Sequence, residues 1–237
     1  MLETLLALLA AHLVADFVLQ TDWIIARKKR WWGMALHIAL VAMMAMAALG
    51  GFSLPVLAII VVSHLVMDII KTFLLKDTIW PFIIDQAVHL AAVVAAAVLF
   101  PHTIAEGFWG QLPAAHQSLY FGALALLSGL ILAVPAGGHL IGKAMAGYAA
   151  YSGAGGLPRA GQYIGWLERA LILLLVLIGQ PEGVGLLLTA KSILRFSDVN
   201  QTHLRAHTEY VILGTLISFA WALAVAVLTQ AALRHWA

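Results

Sequence analysis

The residues of this chain that can do chemistry are histidines and aspartates set in apolar runs. His12 and Asp16, His64 and Asp68, and Asp85 and His89 each stand four residues apart. On a helix that spacing puts both side chains of a pair on one face, one turn apart. His37 is a fourth imidazole in a similar run, MALHIALV. Nitrogen and carboxylate donors without thiolate suit zinc first, with manganese and iron as further choices. The candidate ligands are His12, Asp16, His37, His64, Asp68, Asp85 and His89, more than one tetrahedral site needs. The surplus fits a second ion, or carboxylates that orient ligating histidines. Asp16, Asp68 and Asp85 are also the candidates for a general base.

A second set is mostly cationic. Lys71 lies one turn beyond Asp68, Glu168 and Arg169 are adjacent, and Lys191 and Arg195 are four apart. Such heads often snorkel to lipid head groups. Arranged as a wall, they would hold a phosphate, which Arg and Lys both bind. His102, His116, His139, His203, His207 and His235 fall in loops or at chain ends and read as solvated. Walker-type GxxxxGK[ST], HExxH and GxSxG are absent, and there is no cysteine for a thiolate site or nucleophile.

The elements that must position these residues follow from composition. Of 237 residues, 63% are hydrophobic and 10% charged, against roughly 45–50% and 25% in soluble domains. That excludes a water-soluble fold and implies an all-α, polytopic transmembrane bundle. A balance of 13 Lys+Arg against 11 Asp+Glu is too even to point to nucleic acid. Apolar runs predict spans near 3–25, 33–50, 54–75, 79–100, 119–135, 161–180, 183–197 and 209–233. That makes eight spans, or seven if 183–197 is re-entrant. No proline is expected in the middle of a span. The basic cluster 27–30 belongs on the cytoplasmic side, which puts both termini outside. The chain then has three regions: a four-span bundle 1–100 with the His/Asp site; an outer loop, fifth span and Gly-rich linker over 101–160; and C-terminal spans 161–237. In antiparallel spans the order HxxxD, HxxxD, DxxxH sets all three imidazoles near mid-span and all three carboxylates one turn nearer the cytoplasm.

The strings HLVADFVLQTDW, SHLVMDIIK and DQAVH resemble the bacterial integral-membrane family of domain of unknown function 3307. IGWLERALILLLVLIGQ, GLLLTAKSILRF and EYVILGTLISF resemble its longer form. The resemblance gives motif positions to His12, Asp16, His64, Asp68, Asp85, His89, Glu168, Arg169, Lys191 and Arg195, while His37 joins by depth alone. In style, these helices are similar to membrane-bound metal-dependent hydrolases likened to zinc phospholipase C. The expectation is a multi-pass inner-membrane protein holding one or two divalent transition-metal ions. It would hydrolyse a phosphorylated or lipid-like substrate from the cytoplasmic side. The alternatives are an ion- or proton-coupled transporter using the same cluster, and a structural or partner-binding membrane protein. The oligomeric state stays open.

Overall fold

The computed structural model describes residues 1–151, 159–196 and 204–236, without the side chains of 194–196 and 204. His203 and the Arg195 side chain therefore lie outside the described residues. Every regular element is helical, and there is no strand among the described residues. Among the described residues, seven helical stretches are long and apolar enough to cross a membrane: Leu2–Leu19, Trp31–Leu49, Leu54–Leu74, Ile79–Leu99, Ala114–Tyr151, Ala160–Leu177 and Arg205–Trp236. This is the pattern of a multi-pass membrane protein. The helices are α1 (Leu2–Val14), α2 (Asp22–Ile25), α3 (Trp31–Leu49), α4 (Leu54–Leu74), α5 (Ile79–Leu99) and α6 (Thr103–Glu106). They continue with α7 (Ala114–Ile131), α8 (Gly137–Met145), α9 (Ala160–Leu177), α10 (Gly183–Phe196) and α11 (Leu204–Trp236). With 14 residues, α10 is about 21 Å long, short of about 30 Å of hydrocarbon.

The chain divides into two compact units, Met1–Ile131 with the last turn from Ala232, and Leu132–Ala231. In the first unit, Ala7, Leu8, Val41, Ala45, Leu49, Val56, Ile60, Val93, Ala96 and Phe121 form a buried core. Small residues let these helices approach closely, as apolar helices must where burial from water contributes little. Helix α3 ends at Gly50, whose φ of 69° is the left-handed cap. Gly51 N–H donates to Met46 O and Gly50 N–H to Ala47 O, the paired bonds of a Schellman motif. Side chains add to these bonds: Trp109 Nε1 also donates to Ala47 O at 2.7 Å, and Tyr120 Oη donates to Ala48 O at 2.6 Å.

Two expectations are corrected. The first span is not one helix over 3–25. It passes from α1 into a π turn at Ala15–Leu19 and breaks at Gln20 before the short α2. Turns over 26–30 then fold onto the start of α3: Arg30 N–H donates to Arg27 O, and a Cβ on Gly33 would lie 2.2 Å from that oxygen. The second correction is the supposed linker 136–160. It is helical through Tyr151, so His139 stands on α8 rather than in a loop. Pro135 sits inside the continuous helix, in a π turn over Leu132–Ala136. Proline has no N–H and crowds the preceding turn. Three successive carbonyls there take side-chain donors instead. Trp221 Nε1 donates to Leu132 O, Arg169 Nε to Ala133 O and Arg169 Nη2 to Val134 O.

Candidate metal centre

Five elements of the first unit converge on the His/Asp cluster. Helix α1 carries His12, its π turn Asp16, α3 His37, α4 His64 and Asp68, and α5 Asp85 and His89. A π turn adds a residue to the helical repeat and rotates the residues after it; here it is the turn that presents Asp16. The seven residues form one contiguous group. Asp16 Oδ1 lies 3.2 Å from His64 Nε2 and 3.5 Å from His37 Nε2, and Asp16 Oδ2 lies 3.8 Å from both His12 Nδ1 and His89 Nδ1. Asp68 Oδ2 stands 3.3 Å from His37 Nε2 and 3.7 Å from His64 Nε2. The His64 and His89 rings stack with centroids 3.8 Å apart.

Two sets of donors draw close enough to share an ion. In His12, Asp16, His64 and His89, one ligand atom from each lies within 4.8 Å of the others, and the same holds for His37, His64 and Asp68. Nitrogen and oxygen ligands at about 2.0–2.1 Å from one ion stand about 3.3–3.4 Å apart in a tetrahedral site. The widest pair of the first set, within 4.8 Å, therefore needs to close by up to about 1.5 Å. Three imidazoles and one carboxylate suit the borderline and harder divalent ions. The polar satisfaction of the site also fits an ion. Asp16 Oδ1, Asp85 Oδ1 and both ring nitrogens of His89 are buried without a hydrogen-bond partner. Each such atom costs about 1–3 kcal/mol, and an ion held by Asp16 and one nitrogen of His89 would relieve part of that cost. A cavity of about 10 Å³, about one water-sized sphere, opens on His12, His64 and His89.

The remaining polar groups hold the set in place. Gln86 Oε1 faces His12 Nε2 at 3.3 Å while its Nε2 donates to Asp85 Oδ2 at 3.0 Å. Lys71 Nζ donates to the same Asp85 oxygen at 2.5 Å. The Gln20 amide nitrogen lies 2.9 Å from His37 Nε2. Lys28, read from the sequence as one of four loop cations, returns into the cluster. It is 7% exposed, and its Nζ donates to both Asp68 oxygens at 2.8 Å. Nothing in the run RKKR distinguishes Lys28 from its neighbours. The signal that did exist was three buried carboxylates, which require buried cations.

The other predicted anion-binding residues lie in the second unit, and those whose side chains are described, Glu168, Arg169 and Lys191, are already engaged. Lys191 Nζ donates to Glu168 Oε2 at 2.7 Å, and Arg169 serves the Pro135 turn and donates to Ser218 Oγ at 3.1 Å. Lys71, in the first unit, is on Asp85.

Residues 4–109 match the family described as protein of unknown function (DUF3307). Over those residues, under half of its length, the chain is similar to that family. The matched stretch holds all seven His/Asp residues together with Gln20, Lys28, Lys71 and Gln86. Glu168, Arg169 and Lys191 lie beyond it. No curated protein and no solved structure matches this chain.

Proposed function

We propose that the DUF3307-like unit is a membrane-embedded, metal-dependent hydrolase of phosphorylated or lipid-like substrates. It works from the cytoplasmic side of the inner membrane. The observation that carries this reading is the set of orphaned donors of Asp16 and His89 beside His12 and His64. His12, Asp16, His64 and His89 would hold a single divalent ion, zinc before manganese or iron. Such an ion supplies Lewis acidity, making bound water acidic and polarising a phosphoryl oxygen. His37 and Asp68 form the overlapping set, but Lys28 already neutralises Asp68 and His64 is common to both. The reading is therefore one ion per chain.

The chain's own groups divide the rest of the work. Asp85 stays out of both ligand sets. Lys71 and Gln86 fix its Oδ2, and its Oδ1 is free to take a proton from water. While the Asp85 it binds is buried, Lys71 keeps 30% of its side chain accessible. It is the group that would meet an incoming anionic oxygen. Gln86, between His12 and Asp85, keeps ligand and base in register.

The test is release of inorganic phosphate from lipid phosphates by purified protein, beside an Asp85→Asn variant. Turnover that falls at least 100-fold with metal retained supports the base assignment. Absence of turnover on every lipid phosphate in a metal-loaded protein rejects hydrolysis. One observation favours the transport alternative: Pro135 and its π turn set an irregular turn within a membrane-length helix, and irregular spanning helices are common in transporters. Metal or proton flux in liposomes, lost with His64→Ala, would move the assignment there.

A further inference from the structure

The second unit contains a cavity of about 570 Å³, in the range of ligand sites, about 300–1,000 Å³. Much of its wall is apolar or small: Ile141, Met145, Ile164, Trp166 and Val211, with Gly138, Gly142 and Gly165. Its polar lining includes the charged Arg169, Lys191 and Glu168, with Ser218, Thr215, Gln162, Tyr210 and His139. Two cations stand against one carboxylate among the described lining residues. Glu168 is committed to Lys191 at 2.7 Å. Arg169 is 3% exposed, and its bonds run to the neutral oxygens of Ala133, Val134 and Ser218. Those bonds use three of its five N–H groups.

Two glycines leave the guanidinium reachable. A Cβ on Gly138 would lie 3.2 Å from Arg169 Nη2, and one on Gly165 would lie 3.0 Å from Nη1. Any other residue at either place would press on those nitrogens from the cavity side. A buried surplus cation in apolar surroundings is expensive unless an anion accompanies it. The wall beside it asks for hydrocarbon.

We propose that this cavity binds one anionic membrane lipid, with its phosphate between Arg169 and Lys191 and the upper part of an acyl chain along α8 and α9. The site is separate from the His/Asp cluster and does not rest on the hydrolase reading.

The full chain, purified in a maltoside detergent, is titrated with dioleoyl phosphatidylglycerol or dioleoyl phosphatidylcholine, and retained lipid is counted by native mass spectrometry. Three variants accompany it. Gly142→Leu fills the cavity at a position where a Cβ meets nothing within 4 Å, and leucine is the better helix former, so folding is not at risk. Lys191→Gln removes a cation. Glu168→Gln removes the competing carboxylate and keeps a hydrogen-bond partner for Lys191. The expected result is one phosphatidylglycerol retained per chain. Gly142→Leu should lose it, Lys191→Gln should weaken it by about 10–100-fold, and Glu168→Gln should bind it more tightly. Equal retention of phosphatidylcholine overturns the proposal. So does retention unaffected by Gly142→Leu, or binding not raised by Glu168→Gln. Displacement of the lipid by millimolar inorganic phosphate would make this a soluble-anion site and also overturn it. Metal content plays no part in these readouts, so failure here and failure of the hydrolase reading are separable.

Discussion

A histidine whose two ring nitrogens are both buried and unpartnered is a costly residue, and His89 is one. It packs against other imidazoles, stacked on His64 and tilted against His12. The ion proposed at His12, Asp16, His64 and His89 offsets that cost, which gives a sign test at the residue scale. Loading with a divalent ion at 100 times its Kd should stabilise the native chain by about 2.7 kcal/mol. The same loading should leave His89→Leu unmoved. Thermal unfolding in detergent, with and without metal, reads both. Equal stabilisation of the two chains would remove His89 from the site. Lys28 gives a second residue-scale prediction. Lys28→Met leaves Asp68 charged and unpaired, at a cost of about 3–5 kcal/mol. Adding Asp68→Asn should recover most of that loss, because the stranded charge goes with it. A double variant as unstable as the single one would show that the lysine packs rather than pairs.

At the scale of elements, periodicity made most of the helices legible. The i,i+4 pairs of α4 and α5 needed only a regular helix to bring His64, Asp68, Asp85 and His89 together. The irregular elements were not legible, for physical reasons. The π turn at Ala15–Leu19 adds one residue to a repeat whose sequence stays apolar on both sides of Asp16, so no polarity change marks it. Lys28 comes back to Asp68 because the turns over 26–30 fold onto Gly33, and a basic run looks solvated whichever way it turns. Pro135 was visible as a residue but read as a helix end, because the Gly-rich stretch after it resembles a linker. Its helix continues because Arg169 and Trp221 take the carbonyls of the widened turn. Gly33→Val tests the return of the 26–30 turn. A Cβ there meets a backbone oxygen, which no side-chain rotation relieves, so the variant should lose about 1–3 kcal/mol. It should also release Lys28 from Asp68, so Lys28→Met should cost less in Gly33→Val than in the native background. Full additivity of the two would separate the turn from the ion pair.

For the whole molecule, composition alone announced a helical membrane protein, and the seven long apolar helices agree with it. The division into two units was harder to read. It falls at Ile131 and Leu132, inside a continuous helix, where neither a loop nor a change of polarity marks it. Orientation belongs to this scale as well. The basic residues at 27–30 predict a cytoplasmic position for Lys29, and for both termini the opposite side. Lys29→Cys in this cysteine-free chain should resist a membrane-impermeant maleimide in intact cells and react after permeabilisation. Labelling in intact cells would invert the topology and turn the proposed site toward the outside.

The most direct measurement is the metal content of the full chain, purified without chelators and quantified by elemental analysis beside a His64→Ala, His89→Ala double variant. One divalent transition-metal ion per native chain is expected, and near zero in the double variant. A native chain with no metal after loading with zinc, manganese or ferrous iron, or a double variant that binds as much as the native chain, would contradict the metal centre.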